Sequence, residues 1–218
     1  MAVIMRAAEA AFDIETIPDV QRLKKVPPVH PDRNLKDPEK IRKNLEAKKT
    51  RQIEDASVDF RFGKIICVAF YGNFNDDADE SEEVIFDKNE RRLLEKFWNL
   101  AKHFERFITF NGLEFDIPFI LTRSWLMCVK PSVNIDSSRH RIKNHFDIRM
   151  ALCNWDRFAS GTLADYAQLK LDVEVSPITG AEINDLYRAG EFELIKEHCQ
   201  THAILIWRLY QSMKGILI

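Results

Sequence analysis

Asp13 and Glu15 stand two residues apart in the apolar run Ala11-Phe12-Asp13-Ile14-Glu15-Thr16-Ile17-Pro18. Alternation along a strand turns both carboxylates to one side, while Phe12 and Ile14 face the opposite layer. Two acids this close repel each other and lose hydration on burial. A divalent cation is the common compensator, Mg2+ being a hard ion that takes carboxylate oxygen. The chemistry suggested is metal binding; the plain structural reading is a half-exposed strand with two solvated acids.

Two further clusters could join them. In Asn111-Gly112-Leu113-Glu114-Phe115-Asp116-Ile117-Pro118, Gly112 can supply a turn and Pro118 suits the first turn of a helix. Asp116 then falls at a strand-to-helix junction, where a carboxylate is favoured and an ordinary cap is the simplest use. Near the C-terminus His198 and His202 lie one helical turn apart. Such a pair can hold Zn2+, although satisfied histidines on a helix face are commoner. Asp147 and Asp165 have ready structural uses as turn or cap residues and stay outside the candidate set.

The elements that must position these residues follow from hydrophobic spacing. Lys64 to Tyr71 is a near-continuous apolar run between Gly63 and Gly72, which predicts a central strand. Glu83 to Phe86 predicts a shorter strand paired with it across the acidic turn Asn75 to Glu82. Leu93, Leu94, Phe97 and Trp98 predict an amphipathic helix over 90–104, and Phe107 to Phe110 another strand. Residues 117–127 continue as an apolar helix. His145 to Met150 reads as an edge strand or the lead-in to a helix, and 163–169 as a short helix capped by Thr162 or Gly161. The most periodic helix spans 191–214, with Leu194, Ile195, Ala203, Ile204, Ile206, Trp207 and Tyr210 as its apolar face. Strands alternating with helices make the chain α/β.

Hydrophobic residues at 45%, with 15 Phe and 4 Trp in 218 residues, suffice for a full core and suit one domain. Only 7 Gly and 8 Pro argue against a disordered or fibrous chain. The net charge of -2 hides an uneven distribution. Lys and Arg crowd the segment 22–64, whose part from Pro38 to Arg51 predicts an exposed basic helix within an insertion. The 4 cysteines have no CxxC spacing, which suits reduced thiols in an intracellular protein. No apolar run is long enough to span a bilayer, so a cytoplasmic protein with no membrane partner is expected.

Taken together, the clusters resemble the DEDD 3'-5' exonuclease superfamily, above all the predicted exonucleases related to the proofreading domain of family B DNA polymerases. Asp13-Ile14-Glu15-Thr16 is similar to the first exonuclease motif and Asn111 to Pro118 to the second. The helix with Glu197-His198-Cys199-Gln200-Thr201-His202-Ala203 stands where the third motif belongs. The resemblance spans roughly residues 9 to 213. It implies a ribonuclease H-like mixed central sheet flanked by helices, in one exonuclease-like domain over 1–218 with a basic polar insertion at about 19–60.

The activity implied is metal-dependent 3'-5' hydrolysis of single-stranded DNA or RNA. Two divalent ions, Mg2+ or Mn2+, would serve it, with zinc less expected. By resemblance, Asp13 bridges both ions, Glu15 and the third-motif residue complete one site, and Asp116 supports the other through water. His198 takes the place of the group that orients or deprotonates the attacking water. Thr16, Asn111 and Phe115 would touch the substrate, Phe115 by stacking the terminal base. Lys40, Arg42, Lys43, Lys48, Lys49 and Arg51 would contact phosphates.

The third motif departs from the family pattern, which has Tyr and then Asp where this chain has His198 and His202. A neutral imidazole in the last place makes His202 a metal ligand that favours Mn2+ or a softer ion over Mg2+. The alternative is a catalytically impaired nucleic-acid-binding or scaffolding module on the same fold. A third reading is a zinc phosphohydrolase with His198 and His202 as ligands beside Asp13. The sequence identifies no protein partner.

Overall fold

The computed structural model describes residues 8–74, 79–138, 143–173, 175 and 177–218. Its strands are β1 (Glu9–Pro18), β2 (Gly63–Asn73), β3 (Ser81–Phe86), β4 (Arg106–Thr109) and β5 (His145–Asp147). Its helices are α1 (Val20–Leu23), α2 (Pro38–Ser57), α3 (Glu90–Ala101), α4 (Asp116–Leu126), α5 (Ile148–Leu152), α6 (Leu163–Leu171), α7 (Ile183–Ala189) and α8 (Phe192–Met213). The sheet order is β3-β2-β1-β4-β5, with the strand of the two acids in the middle. β1 and β3 run antiparallel to β2, while β4 and β5 continue parallel to β1, so the sheet is mixed.

Helices cover both faces, which is why β2 is apolar on both sides. On one face Phe12, Ile14, Val68 and Phe70 pack against Leu93, Phe97 and Trp98 of α3 and Phe119 and Ile120 of α4. Phe12, Phe70 and Phe97 meet with ring centroids 5.4 to 5.7 Å apart. Each ring fully buried there contributes about 1.5–3 kcal/mol. On the other face Ile17, Ile66, Cys67 and Ala69 meet Ile183 of α7 and Ile195, Cys199 and Ala203 of α8. The same side of β1 and β4 carries Ala11 and Ile108 under Ile206, Trp207 and Tyr210.

That second face is lined with small residues where it matters. Asp13 pairs with Ala69 and Glu15 with Cys67 across the β1–β2 ladder, and α8 presents Cys199 and Ala203 there. Small neighbours leave room for the two carboxylates beneath the helix. After Glu15 the register slips, so that Thr16 pairs with Ile65 and Ile66 is the extra residue. The bulge lets Ile66 and Cys67 both join the α8-side cluster, and it bends the strand beside the acids.

Long-range ties seat α2 and the chain around it. The Asp37 side chain caps α2 and Pro38 opens it. At its other end the Thr16 hydroxyl donates to the Ser57 carbonyl at 2.6 Å. A Cβ on Gly63 would lie 2.8 Å from the Ala56 and Ser57 carbonyls, so only glycine lets the helix end approach β2. Arg123, fully buried, joins Glu90 at 2.5 Å and Asp19 at 2.8 Å, fixing α4 to α3 and to the exit of β1.

The expected elements are present with adjustments. The helix expected over 90–104 ends at Ala101, and 145–150 is an edge strand followed directly by α5. Thr162, rather than Gly161, caps α6, in a box with Asp165. Residues 75–78 of the expected acidic turn lie outside the described residues. Leu194, expected on the apolar face of α8, is 39% exposed. The buried stripe runs Ile195, Cys199, Ala203, Ile206, Tyr210, Met213, and Leu194 falls about 100° off it. α7 has no counterpart in the sequence expectation, being short with only Ile183 buried. No helix among the described residues is long and apolar enough to cross a membrane.

Candidate functional site

Asp13 and Glu15 project from β1 toward α8, where His198 and His202 sit on successive turns with ring centroids 4.2 Å apart. The His198 Nε2 atom lies 3.4 Å from Glu15 Oε1, and the His202 Nδ1 atom 3.3 Å from Asp13 Oδ2. Asp13, Glu15, Thr16, Phe115, His198 and His202 line one cleft of about 180 Å³, whose rim includes Ser57 and Val58 from the end of α2. Asp116, the first residue of α4, is buried beside it, within electrostatic reach of Asp13. It is not the helix cap: Phe115 holds that place, without a capping side-chain bond.

Burial, then the charge of Asp13, pushes the Glu15 carboxyl well above the usual carboxylate range, with Cys67 and Asp116 adding to it. The same two causes raise Asp116, against hydrogen bonds from its own backbone and that of Ile14, with Asp147 adding a further rise. Burial and then the nearby His202 pull His198 down to about 4. Its ring is therefore neutral at ordinary pH and a weak base there. Burial also works against a charge on His202, but the hydrogen bond and charge of Asp13 outweigh it and hold that ring above its ordinary value.

Three buried atoms here have no hydrogen-bond partner: Asp116 Oδ1 and both ring nitrogens of His198. Orphaned buried polar atoms are costly, and carboxylates that resist ionisation are what a cation would relieve. One ligand atom each from Glu15, His198 and His202 lie within 4.8 Å of one another, and so do atoms of Asp13, Glu15 and Cys199. The donor set fits a divalent metal ion.

The other candidates stand apart from this cleft or are engaged within the fold. Thr16 lines the cleft, but its hydroxyl is committed to Ser57. Asn111 lies on a neighbouring cleft with Arg149, Arg157 and Phe158, and its side-chain oxygen accepts from Arg149 at 3.0 Å. Lys48 is tied to Asp32 at 2.7 Å and to the His30 carbonyl, and Lys43 pairs with Glu39. Lys40, Arg42, Lys43 and Lys49 are exposed. At 1.5 Å per residue they stand about 12–25 Å back along α2 from its Ser57 end.

Asp147, set aside in the sequence, has a second use. Its carboxylate caps α5 through the Met150 amide and also accepts from the amides of Asn111 and Leu113, both at 2.9 Å. It thereby fixes the turn that delivers Phe115 and Asp116. The left-handed residue of that turn is Asn111 (φ 66), not Gly112. Gly112 is required for space, since a Cβ there would fall 2.2 Å from Thr109 Oγ1.

Residues 60–217 match the sequence model of a family described as "Predicted 3'-5' exonuclease related to the exonuclease domain of PolB". The match begins after β1, so Asp13 and Glu15 precede it. No curated protein matches the sequence. Among solved structures the fold is similar to the family B DNA polymerase from the hyperthermophilic archaeon Pyrobaculum calidifontis, with a TM-score of 0.65 at 14% identity. That likeness covers 95% of this chain and 24% of the polymerase, so the chain spans about a quarter of that protein's length. The open mixed sheet with flanking helices is thus ribonuclease H-like, similar to a polymerase exonuclease domain.

Proposed function

The chain belongs to the family of predicted 3'-5' exonucleases related to the exonuclease domain of PolB, and on that premise we propose that it is a metal-dependent 3'-5' exonuclease on single-stranded DNA or RNA. The observation that carries the reading is the convergence of Asp13, Glu15 and the buried Asp116 with His202 around one cleft that Phe115 borders. Asp13, Glu15, Asp116 and His202 would hold two divalent ions, Mg2+ or Mn2+, which when bound activate water and steady the leaving oxygen at a phosphodiester.

The protein's own groups supply the rest. Asp13 orients His202 through their 3.3 Å contact. Glu15 and Asp116, hard to ionise in the bare cleft, are primed to exchange a proton for a cation. Phe115 offers a face to the terminal base, a contact of about 1–3 kcal/mol. The exposed cations of α2 are too far back for the scissile phosphate and suit phosphates several nucleotides upstream. The neutral His198 ring has one N–H and one lone pair, both without a partner in the protein, so the lone pair is open to a water proton or to an ion. Residues 1–218 would form one domain, with about 19–60 as its insertion.

The test is release of mononucleotides from single-stranded DNA and RNA of equal sequence in Mg2+, Mn2+ or EDTA. Release that requires the ion is expected. Intact strands in every ion, with binding retained, would instead favour a non-catalytic binding module, the reading that the loss of the fourth acid to His202 supports.

A further inference from the structure

The family pattern would place carboxylate and water oxygens around both ions, yet the α8 side of this cleft offers nitrogen. His198 is 3% exposed, and neither of its ring nitrogens has a hydrogen-bond partner. Its Nε2 faces Glu15 Oε1 at 3.4 Å without the alignment of a hydrogen bond. Nothing in the protein bridges the two atoms, and an ion between them would satisfy both. Tetrahedral coordination with bonds of about 2.0–2.2 Å separates ligand atoms by about 3.3–3.6 Å, which brackets this spacing. His202, one turn on, brings a third ligand atom within 4.8 Å of the other two.

We infer that Glu15, His198 and His202 form a site for one transition ion of the zinc class, with Mg2+ disfavoured there. Two imidazoles and one carboxylate are a donor set that favours Zn2+ or Co2+, whereas Mg2+ keeps to oxygen and holds its waters. Asp13 also sets its Oδ2 against His202 Nδ1, as carboxylates commonly brace ligating histidines. Cys67 and Cys199 close the floor, Cys199 donating its thiol to the Asp13 carbonyl at 3.4 Å. The inference deepens the proposed function and rests on it only in taking the cleft to be a metal site; it makes His198 a ligand rather than the base for the attacking water, and it puts a zinc-class ion in place of Mg2+ or Mn2+ at Glu15 and His202.

The test uses EDTA-stripped full chain and reads binding, not turnover. Titration with Co2+ should give the intense visible bands of a four-coordinate ion at one equivalent, with two shifted imidazole N–H resonances. Zn2+ should displace it stoichiometrically, while Mg2+ in hundredfold excess should not. His198→Ala and His202→Ala should each weaken Co2+ by more than the 10–100-fold typical of a supporting residue. Circular dichroism would confirm that the variants fold, and the wild-type preference stands without them. Mg2+ displacing Co2+ at equal concentration, weak six-coordinate bands, or bands unchanged in both folded variants would overturn the inference. Tight Zn2+ with no hydrolysis would uphold it and remove the proposed activity. Mg2+-driven hydrolysis at an unchanged rate in His198→Ala would do the reverse.

Discussion

Asp147→Asn should loosen the second motif without touching the metal ligands. Oδ1 of Asp147 accepts from the Asn111 and Met150 amides, and Oδ2 accepts from the Leu113 amide. An asparagine that keeps its carbonyl in the Oδ1 position retains two of these bonds but turns an NH2 toward the Leu113 N–H. One charge-assisted bond is lost and one buried donor is left unpaired, a cost of about 1.5–3 kcal/mol. With a urea slope of about 2 kcal/mol per molar, the unfolding midpoint should fall by about 1 M. Asp116 moves with the turn, and a shift of about 1 Å in a positioned group can cost a hundredfold in rate. Hydrolysis should therefore drop about tenfold to a hundredfold while metal affinity at Glu15 and the histidines holds. Urea unfolding, hydrogen exchange at the Leu113 amide and nucleotide release measure the three effects. An unchanged midpoint with unchanged exchange at Leu113 would refute the assignment of Asp147 as the clamp on this turn.

Without metal, the stability contributed by Glu15 and Asp116 should fall as pH rises above the ordinary carboxylate range, because both are raised in the fold, chiefly by burial, and bind more protons there than when unfolded. A divalent ion should therefore raise Tm more at pH 8 than at pH 6, and equal shifts in scanning calorimetry would contradict this. At the acid end His198 works the other way: with about 4 in the fold against an ordinary 6.5, it should remove about 3 kcal/mol of stability as pH drops through that window, a loss that His198→Gln should abolish. His202→Asp restores the acid of the family pattern and should raise Mg2+-supported hydrolysis; a fall in the rate with every ion would show that the acid cannot replace the imidazole. Changing Lys40, Arg42, Lys43 and Lys49 together to Gln should reduce the slope of log affinity for single strands against log salt by up to about 3. An unchanged slope would remove α2 from the substrate path.

Much of the fold is legible in the sequence because its strongest signals are local. β1 is readable from alternation around Asp13 and Glu15, α2 from Asp37-Pro38 and its helix formers, and α8 from its period. What escapes depends on contacts distant in the chain. Asp147 looks like an ordinary cap because its bonds to 111 and 113 cross from β5 to the end of β4. The bulge at Ile66 is invisible in a run that is apolar at every position, since alternation cannot show where it breaks. Leu194 reads as core by hydrophobicity, yet α8 lies on the sheet through the small residues Cys199 and Ala203, which sets the buried stripe one residue away. The approach of His198 to Glu15 follows only once α8 is laid across β1, and neither histidine differs in sequence from a solvated pair on a helix face.

The central claim, a metal-dependent exonuclease built on Asp13, meets its most direct test in a time course on a 5'-labelled single-stranded oligonucleotide, with wild type beside Asp13→Asn in Mg2+, Mn2+ and Zn2+. Stepwise shortening from the 3' end by wild type, absent in EDTA and in a folded Asp13→Asn, is the predicted result. A ladder of the same rate in the variant, or strands that remain whole in every ion, would contradict it.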